Sequence, residues 1–265
     1  MKLGVFDSGL GGLLISKSIA YAAPELDMLY LGDTLHLPYG NRSAQAIEAY
    51  TRRCMDAMFA RDCSLVVMAC NTASAACLRR LQQDYLPQHW PDRNILGVVV
   101  PTLEEAIDHG ATNIGLIATN FIAQSNIYEE ELQKINPDVR LQTLATPLLV
   151  PLIEQGGDKW LEDVLRDYFK AFDLEAMQSL ILGCTHYVRL KNVVRSILPD
   201  HISIISQDDI IPRKLQDYLN RHPEHDQAIG RTGLREYTVT DLTDFYQSAA
   251  NSLFGETVNI EVINT

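Results

Sequence analysis

No stretch of about 18 apolar residues runs anywhere in the chain, so no segment has the length to span a bilayer as a helix. Basic residues are scarce: 22 lysines and arginines stand against 34 aspartates and glutamates, a formal net charge of −12. No Lys/Arg-rich tract reverses this locally. Binding nucleic acid or an anionic membrane through bulk charge is therefore disfavoured. No CxxC pair occurs, and the five cysteines (Cys54, Cys63, Cys70, Cys77 and Cys184) are odd in number. That argues against a disulfide framework, and against a zinc site, whose ligands come as close pairs. Cys54, Cys63 and Cys77 read as small buried hydrophobes. The opening MKLGVFDSGLGG meets Asp7 before any signal-like apolar stretch, and the expected location is the cytoplasm.

What remains is ordinary globular material: 265 residues, 46% hydrophobic and 21% charged. That suffices for one large domain or two small ones. Short β-branched runs alternate with helical patterns. LGVF (3–6), LDMLYLG (26–32), SLVVMA (64–69) and NILGVV (94–99) read as strands, with helices over GLLISKSIAYAA, 43–62 and 74–86. The order then restarts. Strands are predicted at 113–119, VRLQTLA, 179–183 and 202–206, with helices at 102–110, IAQSNIYEEELQKI, 158–172 and VRLKNVVRSIL. The tail adds helices near 210–220 and 241–254, and strands at TVT and VNIEVI. The segment 221–233, rich in Gly, Pro and polar residues, reads as a surface loop. The βαβα order predicts an α/β fold with mainly parallel sheets.

The strand ends repeat. Asp7 lies 112 residues before Thr119, Asp33 lies 113 before Thr146, and Cys70 lies 114 before Cys184. Three strand ends share nearly one offset, which predicts an internal duplication of about 113 residues. The expected architecture is two similar α/β domains related by a pseudo-twofold duplication, with the active site in the cleft between them. In such sheets ligands gather at the carboxyl ends of strands. Both ACNTASA and LGCTHY place a cysteine there.

Helix N-termini lower thiol pKa and bind anions, which favours a thiolate at either cysteine and carboxylate binding nearby, while the resting protonation of each thiol stays open. FDSGLGG offers Asp7 and Ser8 on a glycine-rich turn. It is not GxGxxG, and Asp7 would repel a pyrophosphate, so a dinucleotide is disfavoured. Asp7 is better placed to orient a thiol or receive an ammonium group. The loop LGDTLHLPYGNRS (31–43) could close over a substrate, and His186 could be the proton partner of Cys184. Two thiols flanking one carbon suit proton removal from one face and delivery to the other, which inverts a stereocentre.

These motifs, FDSGLGG, YLGDTLHLPYG, ACNTASA and LGCTHY, in this order, strongly resemble the glutamate racemases of the aspartate/glutamate racemase superfamily. The resemblance runs from residue 3 to about 200. It implies cofactor-independent interconversion of L- and D-glutamate in the bacterial cytoplasm, supplying peptidoglycan synthesis, with no metal and with a homodimeric assembly. It implies a first domain of residues 1–96 plus 208–265 and a second of residues 97–207. It implies that Cys70 and Cys184 are the catalytic thiols, with Asp7 and His186 assisting. Ser8, Tyr39, Gly40, Asn71, Thr72 and Thr185 match substrate-binding positions, and Glu154 a carboxylate near the site. The family often has Thr at Ile122, whose hydroxyl could contact substrate, and commonly has Glu-Pro at Val100-Pro101 and Pro-Leu-Leu at Val188-Arg189-Leu190. The residues alone leave open a racemase of aspartate or another acidic amino acid, a non-catalytic dicarboxylate binder, and a redox sensor.

Overall fold

The computed structural model describes residues 1–265. Its strands, in chain order, are β1 (Lys2–Asp7), β2 (Met28–Gly32), β3 (Cys63–Met68), β4 (Asn94–Gly97), β5 (Asn113–Ala118), β6 (Arg140–Ala145), β7 (Ser179–Gly183), β8 (Ser203–Ile205), β9 (Arg235–Val239) and β10 (Ile260–Val262). They form two sheets, ordered β10-β9-β2-β1-β3-β4 and β6-β5-β7-β8. Every pairing is parallel. The order β2-β1-β3-β4 recurs as β6-β5-β7-β8, so the duplication anticipated from the strand ends is realised strand by strand.

The central strands are apolar along their length because helices cover both faces of each sheet. β2, β3 and β7 are buried throughout. Over one face of the first sheet, Leu13, Ile15 and Ile19 of the helix Gly12–Ala22 pack with Leu3 and Val5. On the other face, Phe6, Leu29 and Leu31 meet the helix Ala44–Ala60, and Cys54, Cys63 and Cys77 lie in this cluster as small hydrophobes. The helix Asp158–Phe169 buries Leu161, Leu165 and Phe169, a stripe at every fourth residue, against the second sheet.

The chain crosses between the sheets twice. After β4 the helix Val99–Asp108 sends Val99, Leu103 and Ala106 into the core beside β5. After β8 the helix Gln207–Arg221 sends Ile211, Leu215 and Leu219 back to the first core. β9 and β10 then add to the first sheet beside β2, which returns the chain's end to its first half.

Several elements differ from the sequence reading. Strand β4 ends at Gly97, short of Val99, because a helix with Pro101 in its first turn begins at Val99. The helix expected over IAQSNIYEEELQKI is two, Asn120–Ser125 and Ile127–Ile135, broken at Asn126 in the left-handed region with φ 53°. Segment 221–233 holds a short exposed helix, Pro223–Ala228, with proline at its start and Glu224 and Asp226 in its first turn. The helix Leu149–Glu154 was not anticipated.

Candidate active site

Both strand-end cysteines open into one cavity of about 380 Å³ between the two sheets. From the first half come Ser8, Tyr39, Gly40, Cys70, Asn71 and Thr72. From the second come Glu154, Cys184, Thr185 and His186. Asp7 alone among the predicted site residues does not line it. A larger cavity, about 440 Å³, opens between the helices Asn71–Arg80, Val99–Asp108 and Gln207–Arg221. It contains neither Cys70 nor Cys184, so the two strand-end cysteines belong to the smaller one.

Cys70 caps the helix Asn71–Arg80: its Sγ accepts from Ala73 N–H at 3.4 Å and lies 3.4 Å from Ser8 Oγ. A helix N-terminus alone would favour a thiolate. Burial dominates instead, and with the nearby Asp7 carboxylate it pushes the Cys70 thiol up to about 12, against the lowering contacts from Ser8 and Ala73. Burial thus outweighs the helix terminus at Cys70. Cys184 differs in setting, since a 3₁₀ turn, Thr185–Leu190, follows it instead of an α-helix.

His186 Nδ1 lies 3.7 Å from Cys184 Sγ, and its Nε2 lies 2.8 Å from Glu154 Oε1. Burial pulls the imidazole pKa down, but the contacts with Cys184 and Glu154 outweigh it and raise it well above its ordinary value. Cys184, His186 and Glu154 thus form a connected chain along which a proton can move. Asp7 sits behind the cavity wall with no exposure. Its carboxylate accepts from Gly9 N–H at 2.9 Å and from Thr185 Oγ1 at 3.1 Å. Burial raises its pKa, while His186 and the Gly9, Gly12 and Thr185 donors oppose that. A Cβ at Gly11 would overlap Thr185 Oγ1 and His186 Nδ1. Only glycine lets the turn after β1 press against the end of β7.

The loop after β2 is held by a carboxylate. Asp33, fully buried, accepts from Tyr39 OH at 2.6 Å and Thr240 Oγ1 at 2.8 Å, and pairs with His36 Nδ1 at 2.9 Å. Tyr39 and Gly40 are thereby fixed at the cavity rim. Sequence reasoning missed Asp33, Thr240, Thr146, Tyr187, Tyr246 and Thr119 as residues of or beside the site. Thr119 Oγ1 meets Thr72 Oγ1 at 3.1 Å across the cavity. Its signal was present, because it follows β5 as the counterpart of Asp7. Ile122 is 1% exposed in an apolar cluster and does not line the cavity, so the hydroxyl it replaces would not reach a substrate there. No group of three or more His, Cys, Asp or Glu side chains is arranged to hold a metal ion, and no helix is long and apolar enough to cross a membrane.

Two parallel α/β units meeting at a cleft with one cysteine from each define a class. The Asp/Glu/hydantoin racemase family model matches residues 14–207, and the chain belongs to that family. Its class is accordingly that of the amino-acid racemases, which are isomerases. The glutamate racemase of Phenylobacterium zucineum is 35% identical over 283 residues, covering 98% of this chain and 99% of that one. That of Synechocystis sp. is 35% identical over 257 residues, covering 96% and 86%. The crystal structure of glutamate racemase from Francisella tularensis in complex with D-glutamate aligns at TM-score 0.88 and 25% identity, over 100% of this chain and 97% of that one. The RacE1 isoform from Bacillus anthracis aligns at TM-score 0.88 and 25% identity, over 99% and 97%.

Proposed function

We propose that the protein interconverts L- and D-glutamate by proton transfer between two thiols, without a cofactor. One observation carries the reading: Cys70 and Cys184, from equivalent ends of β3 and β7, line a single cavity. Racemisation at a carbon needs a base on one face and an acid on the other, both within hydrogen-bond reach. For one enantiomer Cys184 gives its proton to His186 and takes the α-proton, while the Cys70 thiol delivers a proton to the opposite face. For the other enantiomer the Cys70 thiolate left by that turnover takes the α-proton, and the Cys184 thiol delivers one to the opposite face. After each turnover the two sulfurs have swapped protonation states, and exchange with water and His186 resets them. Ser8, Asn71 and Thr72 supply donors for the substrate carboxylates, Thr185 lines the cavity with its hydroxyl proton held by Asp7, and Tyr39 and Gly40 close the rim. Asp7 acts behind the wall, orienting Thr185 and keeping Cys70 protonated between turnovers.

The reading includes two domains, residues 1–96 plus 208–265 and residues 97–207. Membership of the two sheets and the two crossings near Val98 and Ser206 support that division. A homodimer, a cytoplasmic setting and supply of D-glutamate to peptidoglycan synthesis rest on the family resemblance, and light scattering of the purified protein measures the first. The functional test is a racemase assay on both glutamate enantiomers and on L-aspartate, read by polarimetry without added pyridoxal phosphate. Turnover of glutamate is expected, with loss in Cys70→Ala and Cys184→Ala proteins that remain folded. Turnover confined to aspartate, or unchanged by either substitution, overturns it.

A further inference from the structure

Asn71 follows Cys70 and lines the cavity, yet its side chain faces partners in the other half of the molecule. Its Nδ2 donates to Gln207 Oε1 at 2.9 Å, and Gln207 Nε2 donates back to Asn71 Oδ1 at 2.7 Å. Tyr128 OH donates to the same Oδ1 at 2.6 Å. Gln207 Nε2 also lies 3.5 Å from Thr102 Oγ1, which donates to Val98 O at 2.6 Å. Asn71, Gln207 and Tyr128 are at most 2% exposed and Thr102 is fully buried. Val98 and Gln207 mark the two places where the chain crosses between the sheets, and Tyr128 packs in the core of the second sheet. One amide pair therefore ties both crossings to the residue beside a reacting thiol.

The hydrogen-bond inventory fixes what Asn71 can offer. Its Oδ1 has two lone pairs, and Gln207 and Tyr128 occupy both. Its Nδ2 has two protons, and Gln207 takes one. Burial pushes the Tyr128 phenol pKa up, so that group stays a donor. One N–H is left for the cavity, and nothing on Asn71 remains to accept. A buried amide with its carbonyl filled can meet a carboxylate and cannot meet an ammonium group.

We infer that Gln207 and Tyr128 are positioning residues that lock the Asn71 amide with its donor toward the substrate carboxylate, and that tie this orientation to the hinge between the halves. The inference rests on the racemase reading above. It predicts an effect on substrate affinity through Asn71 and not through the fold. Gln207→Met keeps the volume and removes both amide bonds. Tyr128→Phe removes only the second bond to Oδ1.

The test is a double-mutant cycle, with D-glutamate affinity from calorimetry and KM and kcat from racemisation. Gln207→Met is expected to raise KM about tenfold, the weight of one misdirected buried hydrogen bond, with a smaller change in kcat. Tyr128→Phe moves KM the same way by less. In an Asn71→Ala background, adding Gln207→Met changes KM by less than about twofold, because the amide it positions is gone. Thr102→Val, which removes only the 3.5 Å contact to Gln207, moves KM by less than Tyr128→Phe. Losses that add in the double variant, or a Gln207→Met protein with wild-type KM, overturn the inference while wild-type turnover leaves the racemase reading standing. Wild-type protein that turns over neither enantiomer overturns both.

Discussion

The resting state of Cys70 can be read by chemistry that needs no substrate. Its thiol is pushed up to about 12 by burial and by Asp7, against about 8.5 for a free cysteine. At pH 7.5 the thiolate fraction of a free thiol is about one in ten, and that of Cys70 about one in 30,000, a deficit of about 3,000-fold. A more basic thiolate attacks faster, with a Brønsted slope near 0.45, which returns about 40-fold over this difference. Cys70 should therefore alkylate about 80-fold more slowly than a model thiol, before any loss from restricted access. The assay is pulsed iodoacetamide labelling of ligand-free protein, quantified by mass spectrometry on the Cys70 peptide at a series of pH values. Restricted access lowers the whole curve but leaves its shape. The rate should climb about tenfold per pH unit through pH 10 without levelling. Asp7→Asn, which removes the carboxylate that raises this thiol, should shift the curve to lower pH. A plateau below pH 9 refutes the claim that burial outweighs the helix terminus at Cys70.

Other consequences are open to measurement. Glu154→Gln keeps an acceptor for His186 Nε2 but removes the carboxylate charge that pairs with the imidazolium. The His186 pKa is raised in the folded protein, so the stability this provides is fully present below about pH 6.5 and fades as pH rises through the folded value. Urea denaturation should show the variant about 1.5–3 kcal/mol less stable at pH 5.5, with the gap closing on the alkaline side. A gap that widens with pH contradicts this. Asp33→Ala strands the Tyr39, Thr240 and His36 donors. It should cost about 2–4 kcal/mol in chemical denaturation and raise KM, because Tyr39 loses its anchor at the rim. Leu165→Ala empties a fully buried site under the second sheet. It should cost about 2–5 kcal/mol and leave the KM for glutamate unchanged.

The strands were legible because parallel strands covered on both faces must be apolar along their whole length, and LYLG, LVVM and LILG are. The repeated offset of their ends revealed the duplication, and with it the equivalence of Cys70 and Cys184. Short elements were less legible. The break at Asn126 and the helix Leu149–Glu154 depend on single backbone conformations and on local packing, which periodicity over a dozen residues averages away. Of the residues in or beside the cavity, those after β1, β3 and β7 were picked out in the sequence, although Asp33, Thr119 and Thr146 after other strands were passed over. Those that reach the site from afar were missed too: Gln207 meets Asn71 across 136 positions of chain and Thr240 meets Asp33 across 207. Such pairs are set by the return of the chain between the sheets. The resting protonation of Cys70 was not legible for a related reason. Its helix terminus is visible in the sequence, whereas its burial is a product of both halves closing around it.

The proposed transfer between two sulfurs would have an isotopic consequence that decides the central claim. L-glutamate is incubated with the protein in deuterated water, and both enantiomers are separated early and analysed by mass spectrometry at the α-carbon. The account predicts D-glutamate carrying one solvent deuterium, while the unreacted L-glutamate stays almost fully protiated, because the group that removes the proton is not the group that returns one. D-glutamate that retains the original proton, or deuterium appearing equally in both enantiomers from the first turnover, would contradict it.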